Sequence, residues 1–100
     1  MFPGMRERAA ALVKTYLALP QIRNVVAKHF ADGERTTPST DESYGHVRWE
    51  LNELALRLEF GSPETLERAL TRLGFVQGVL WQLGLSGPTK LREQAREVTG

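Results

Sequence analysis

Cysteine is absent from the 100 residues. That excludes a disulfide framework, a thiolate nucleophile and any cysteine-ligated zinc or iron–sulfur site. Imidazole is scarce, with two histidines in the whole chain. Long apolar runs are missing as well: none approaches the roughly 20 residues a membrane-spanning helix needs. The opening Met1-Phe2-Pro3-Gly4-Met5-Arg6-Glu7-Arg8 reaches charge too soon for a secretion signal. These absences predict a soluble, cytoplasmic chain with no membrane contact. A formal net charge of +1 gives little counterion-release drive towards polyphosphates, so no direct nucleic-acid binding is expected. No strand pattern, internal repeat or low-complexity tract occurs.

What is present reads as helix almost throughout. A hydrophobic share of 41% over 100 residues fits one domain, residues 1–100, with one modest core. Met5, Ala9, Leu12, Tyr16 and Leu19 recur with a helical period. Pro20 suits the first turn of a second helix, predicted to run to about residue 31 with Ile22, Val25, Val26, His29 and Phe30 on its inner side. Residues 31–42 are polar turn formers without apolar period, and Thr40 or Asp41 suits the cap of a third helix over roughly 42–60. Ser62-Pro63-Glu64 is a strong helix start, and the fourth helix extends to about Leu83, with Gly84 as its stop. Gly87-Pro88 opens a short fifth helix. The expected fold is an all-α bundle of about five helices.

Charge is unevenly placed. Residues 1–30 carry five cations, Arg6, Arg8, Lys14, Arg23 and Lys28, against Glu7 alone. Residues 31–67 reverse this, with three arginines against nine acids: Asp32, Glu34, Asp41, Glu42, Glu50, Glu53, Glu59, Glu64 and Glu67. The last third returns to basic, with Arg68, Arg72, Lys90, Arg92 and Arg96 against Glu93 and Glu97. Such asymmetry bears on partners rather than on fold. It allows either helices that neutralise one another or an acidic face that docks on a basic surface.

The third helix is apolar on more than one side. Val47, Leu51, Leu54, Ala55 and Leu58 form one stripe, and Trp49, Leu56 and Phe60 form another nearly opposite. A helix apolar on two faces is usually covered on both; the alternative is that Trp49, Phe60 and Tyr44 are exposed anchors among carboxylates. On the fourth helix, Leu66, Ala69, Leu70, Leu73, Val76, Leu80 and Trp81 are expected to face inward and Phe75 and Val79 outward.

Little of this supports catalysis. His46, Glu50 and Glu53 share a helix side, but a bundle metal site needs matching ligands from a second helix. The only other imidazole, His29, sits on an apolar stripe and reads as a core histidine. Gly84-x-x-Gly87-x-x-Lys90 lacks the lysine directly after the second glycine that a phosphate loop requires. Gly74 and Gly78 let a neighbour approach closely. No nucleophile–base pair or cofactor loop stands out, so the chain is read as non-enzymatic, without cofactor or metal. A helix-turn-helix regulator using Lys90, Arg92 and Arg96 competes. So does a phage structural or packaging accessory that oligomerises through Trp49, Phe60 and Phe75.

The opening Met1–Arg8 segment, the linker Thr36-Thr37-Pro38-Ser39-Thr40-Asp41-Glu42 and the stretch Arg72-Leu73-Gly74-Phe75-Val76-Gln77-Gly78-Val79-Leu80-Trp81 are phage-like. With the length, they make the chain resemble the small helical type I-F anti-CRISPR proteins. That resemblance implies a phage- or mobile-element-encoded inhibitor acting in the cytoplasm of a bacterial host. It implies stoichiometric binding to the RNA-guided surveillance complex, where the large subunit meets the adjacent backbone subunit, and blocked target-DNA binding or duplex opening. No family motif assigns individual contacts. The charge pattern supplies a compatible surface: Asp41, Glu42, Glu50, Glu53 and Glu59 would pair with cations lining the DNA path, with Tyr44 and Trp49 as anchors.

Overall fold

Ser39 and Ser62 set the two long helices of the molecule. In the computed structural model, which describes residues 4–30 and 39–100, the order is α1 (Met5–Leu17), α2 (Pro20–Arg23), α3 (Thr40–Phe60), α4 (Pro63–Gln82) and α5 (Pro88–Thr99). No strand occurs among the described residues, and the architecture is an all-α bundle. Ser39 Oγ accepts from the Glu42 N–H at 3.2 Å while Glu42 Oε1 accepts from the Ser39 N–H at 3.0 Å. This reciprocal pair is a capping box. The cap is therefore Ser39, and the expected caps Thr40 and Asp41 fall within the first turn. Ser62 Oγ accepts from the Thr65 N–H, with Pro63 in the first turn. Only Gly61 and Ser62 separate α3 from α4, which forces the pair into a tight hairpin. At the far end Gly84 adopts φ +74°, a backbone region that glycine enters without a Cβ penalty. The Leu85 N–H then reaches Leu80 O at 2.9 Å and turns the chain towards α5.

α3 lies centrally, with α1 and α4 packed most extensively against it and α5 against α1 and α4. One core joins Val13 and Tyr16 of α1, Ile22 of α2, and Val47, Leu51, Leu54 and Leu58 of α3. It continues through Leu66, Leu73, Val76 and Leu80 of α4 to Leu91 and Val98 of α5. Within it, the Tyr16 hydroxyl donates to Gln94 Oε1 at 2.8 Å and accepts from Gln77 Nε2 at 2.9 Å. Burial pushes the Tyr16 hydroxyl above its ordinary pKa, and the Gln77 hydrogen bond pulls the other way. The node pairs the Tyr16 hydroxyl of α1 with side-chain amides of α4 and α5, as a buried polar group requires.

Arginines of the basic amino-terminal third are used internally. Arg6 donates to the carbonyls of Leu58 at 2.8 Å and Ser62 at 3.1 Å, and Arg8 Nε to Val98 O at 3.1 Å. Both guanidiniums thus sit at helix C-termini, where free carbonyls and the helix dipole favour a cation.

The second helix departs from expectation. α2 ends at Arg23, and residues 26–30 run as a non-helical strap along α3. Of the inner positions predicted there, Ile22 is buried, Val25 and Phe30 are half-buried, Val26 is 82% exposed and His29 is exposed. His29 is therefore not a core histidine. Carbonyls that a longer helix would bond internally find another partner: Arg48 Nη1 donates to Arg23 O at 2.7 Å and Val25 O at 2.6 Å. The β-branched pair Val25-Val26 also resists helix. Residues 31–38 of the predicted polar connection lie outside the described residues.

Two placements on α4 differ as well. Trp81, expected inward, is 59% exposed, and Val79, expected outward, packs against the core. One residue beyond Leu80 turns about 100° around the helix, which carries Trp81 out to a shallow groove beside Pro88, Leu91 and Ala95 at the edge of α5.

Candidate functional site

The inward side of α3 is taken up by the core, with Val47, Leu51, Leu54 and Leu58 buried and Ala55 packed against them, so its outward side decides what the molecule offers a partner. That side divides in two. Over the first half, the strap covers it. The Lys28 N–H donates to Gly45 O at 3.1 Å, and the Phe30 N–H donates to His46 Nδ1 at 3.0 Å. Because Nδ1 accepts that bond, the neutral ring carries its hydrogen on Nε2, 3.5 Å from Glu50 Oε1. The His29 ring lies 4.4 Å from Trp49, centroid to centroid, and His46 is nearly parallel to Trp49 at 5.9 Å. Trp49 is consequently half-buried beneath the strap rather than a free anchor.

Over the second half nothing among the described residues covers it. Leu56 is 54% and Phe60 76% exposed. The expectation that α3 is covered on both faces therefore fails here, because the strap turns onto the outer side only at the amino-terminal half. At 100° per residue Glu53 and Glu59 fall on either side of the Leu56–Phe60 stripe. The result is a small apolar patch bracketed by two carboxylates.

The predicted acidic residues separate accordingly. Glu53 is half-buried and Glu59 exposed, both beside this patch. Asp41 is exposed in the first turn, but 18 residues before Glu59 it stands about 27 Å away along the axis. Glu42 closes the capping box. Tyr44 is half-buried against the core. Glu50 is 5% exposed and its Oε1 lies 3.5 Å from both Arg72 Nη1 and His46 Nε2. A carboxylate paired inside the fold is not available to a partner, so Glu50 is corrected from a contact to a link between α3 and α4. Among the described residues no three metal-ligating side chains converge.

Leu56 is the patch residue that an acid-centred reading of the sequence passes over. Its signal was present, since it falls on the second apolar stripe with Trp49 and Phe60. The stripe alone does not say which of the three is covered.

Comparison with family models, with curated proteins and with solved structures finds no match for this chain. The geometry describes a small helical bundle with a two-sided hairpin, one side in the core and one partly bare. No helix among the described residues is long and apolar enough to cross a membrane.

Proposed function

We propose that the chain is a non-catalytic binding protein that docks on a macromolecular partner through the carboxy-terminal half of α3. The observation that carries this reading is the exposure of Phe60 at 76% beside Leu56 at 54%, between Glu53 and Glu59, on a helix whose other side is fully packed. An exposed aromatic ringed by polar groups concentrates binding energy when a partner desolvates it. The adjacent carboxylates favour a partner surface rich in lysine and arginine, through steering and charge-assisted hydrogen bonds.

The resemblance to small helical type I-F anti-CRISPR proteins supplies the partner in this proposal. It is a type I-F RNA-guided surveillance complex, bound near the junction of its large subunit and the adjacent backbone subunit. RNA-guided complexes hold their heteroduplex in a positively charged channel. An acid-flanked apolar patch seated on such cations would occupy them before target DNA arrives, and so block DNA binding or duplex opening. In this reading the chain is made by a phage or mobile element and acts in the bacterial cytoplasm.

Co-purification of the protein with a type I-F surveillance complex, followed by a target-DNA mobility shift, tests it. Stable association and loss of DNA binding are expected. Phe60→Ser should weaken the association at least about tenfold, and Glu59→Arg should slow it, with the fold of each variant intact because both side chains are exposed. Absence of association at low salt, or full inhibition by Phe60→Ser, would overturn the reading. A concentration-dependent mass for the isolated protein that Phe60→Ser abolishes would instead assign the patch to self-association.

A further inference from the structure

Next to this acidic patch, on the seam between α3 and α4, the charge changes sign. Arg57 from α3 and Arg68 and Arg72 from α4 line one open groove of about 410 Å³ with Thr71 and Phe75. Arg68 and Arg72 stand four residues apart and so project from the same helix face. Phe75 follows Arg72 by three residues on that face, and its ring is 56% exposed. Arg72 is drawn towards buried Glu50 at 3.5 Å. Arg57 and Arg68 have no ion-pair partner among the described residues. Their guanidiniums donate no hydrogen bond to a described residue, whereas Arg6 and Arg48 donate to backbone carbonyls and Arg8 does so through Nε.

We infer that this groove binds single-stranded nucleic acid, with Arg57, Arg68 and Arg72 on successive phosphates and a base stacked on Phe75. Guanidinium is the side chain best matched to phosphate geometry. An exposed ring beside a cationic track is the usual platform for an unpaired base. Among the described residues Phe75 is the only aromatic or aliphatic side chain in the lining, so they build no pocket of the kind that grips an apolar peptide residue. The net charge of the whole chain hides this grouping, because most of its acids lie away from the groove lining and Glu50 lies below the surface. Glu53 and Glu64, each one turn before an arginine of the groove, hold the site well short of a strongly basic patch. Binding is therefore of modest strength, in the range of about 1–100 µM at low salt. The inference does not rest on the anti-CRISPR reading and uses the neighbouring face of the hairpin.

Fluorescence anisotropy with a labelled oligodeoxythymidylate of about 12 nucleotides tests it on the full chain. Saturable binding is expected, falling with salt at a logarithmic slope near −2, as about 0.7 per neutralised phosphate requires. Arg57→Gln and Arg68→Gln should each weaken binding several-fold and flatten the slope by about 0.7. Phe75→Ala should weaken it about fivefold or more with the slope unchanged. Arg92→Gln with Arg96→Gln on α5 should leave it as it was. All of these positions are exposed, and matching thermal melts verify the fold. No binding at low salt would overturn the inference. So would binding that survives the Arg57/Arg68 double variant but fails in the α5 variant. Equal affinity for an oligoglutamate peptide would assign the groove to an acidic protein segment instead.

Discussion

The two halves of α3 present the same kind of residue outward and receive opposite treatment. Trp49 on the first half is roofed by the strap and ringed by His29 and His46, whereas Phe60 on the second half is bare. Helical period assigns both to the outer side and cannot tell them apart. The difference lies in the strap, whose course depends on Arg48 seizing two carbonyls and on Gly45 allowing the chain to come close. Coverage by a non-periodic segment leaves an aromatic residue structural; its absence leaves one available for binding.

The largest effect should separate the inner side of α3 from its outer side. Leu51 is fully buried, while Leu56 is 54% exposed. Leu51→Ala should cost about 2–5 kcal/mol, because burial is lost and a cavity remains. Leu56→Ala should change stability by less than about 0.5 kcal/mol. Urea unfolding of the two variants measures both. A large loss for Leu56→Ala would mean that the second half of α3 is covered after all, and the contrast with Trp49 would collapse.

Much of this was legible in the residues. The α3–α4 hairpin follows from Ser62-Pro63-Glu64 after Gly61, and the core stripe of α3 from its period. The strap was not, because Ile22, Val25, Val26, His29 and Phe30 imitate an amphipathic helix. The carbonyls at and just past the end of α2 are taken by a guanidinium from a residue 25 positions further on than Arg23, and no local pattern reports that contact. Acid counting misled for a related reason. Glu42 and Glu50 look like their neighbours in composition, yet one caps a helix and the other is buried between α3 and α4. Charge totals similarly concealed the arginines gathered along the α3–α4 seam.

A direct break of the strap comes next in size. A Cβ on Gly45 would stand 2.9 Å from the backbone oxygen of Val26, and a main-chain atom has no rotamer by which to retreat. Gly45→Ala should therefore destabilise by about 1–3 kcal/mol despite alanine's better helix propensity. The same substitution should expose Trp49, so a red-shifted, more quenchable tryptophan emission is the companion reading, taken in a Trp81→Phe background. Unchanged emission would mean that the strap does not hold Trp49 in its half-buried state.

The smallest effect uses glycines in the same kind of helix without a roof. Gly74 and Gly78 lie inside α4 with nothing among the described residues within 4 Å of where a Cβ would sit, so no described neighbour fills their spacing. Helical glycine loses more backbone freedom on folding than alanine does. Gly74→Ala and Gly78→Ala should then stabilise the protein by about 0.5–1 kcal/mol each, opposite in sign to Gly45→Ala. Thermal unfolding compared at several protein concentrations reads this cleanly. A loss of stability at Gly74 or Gly78 that grows with protein concentration would show that a second chain approaches there. The open face of α4 would then join the strap-covered half of α3, closed by contact with backbone rather than left to solvent.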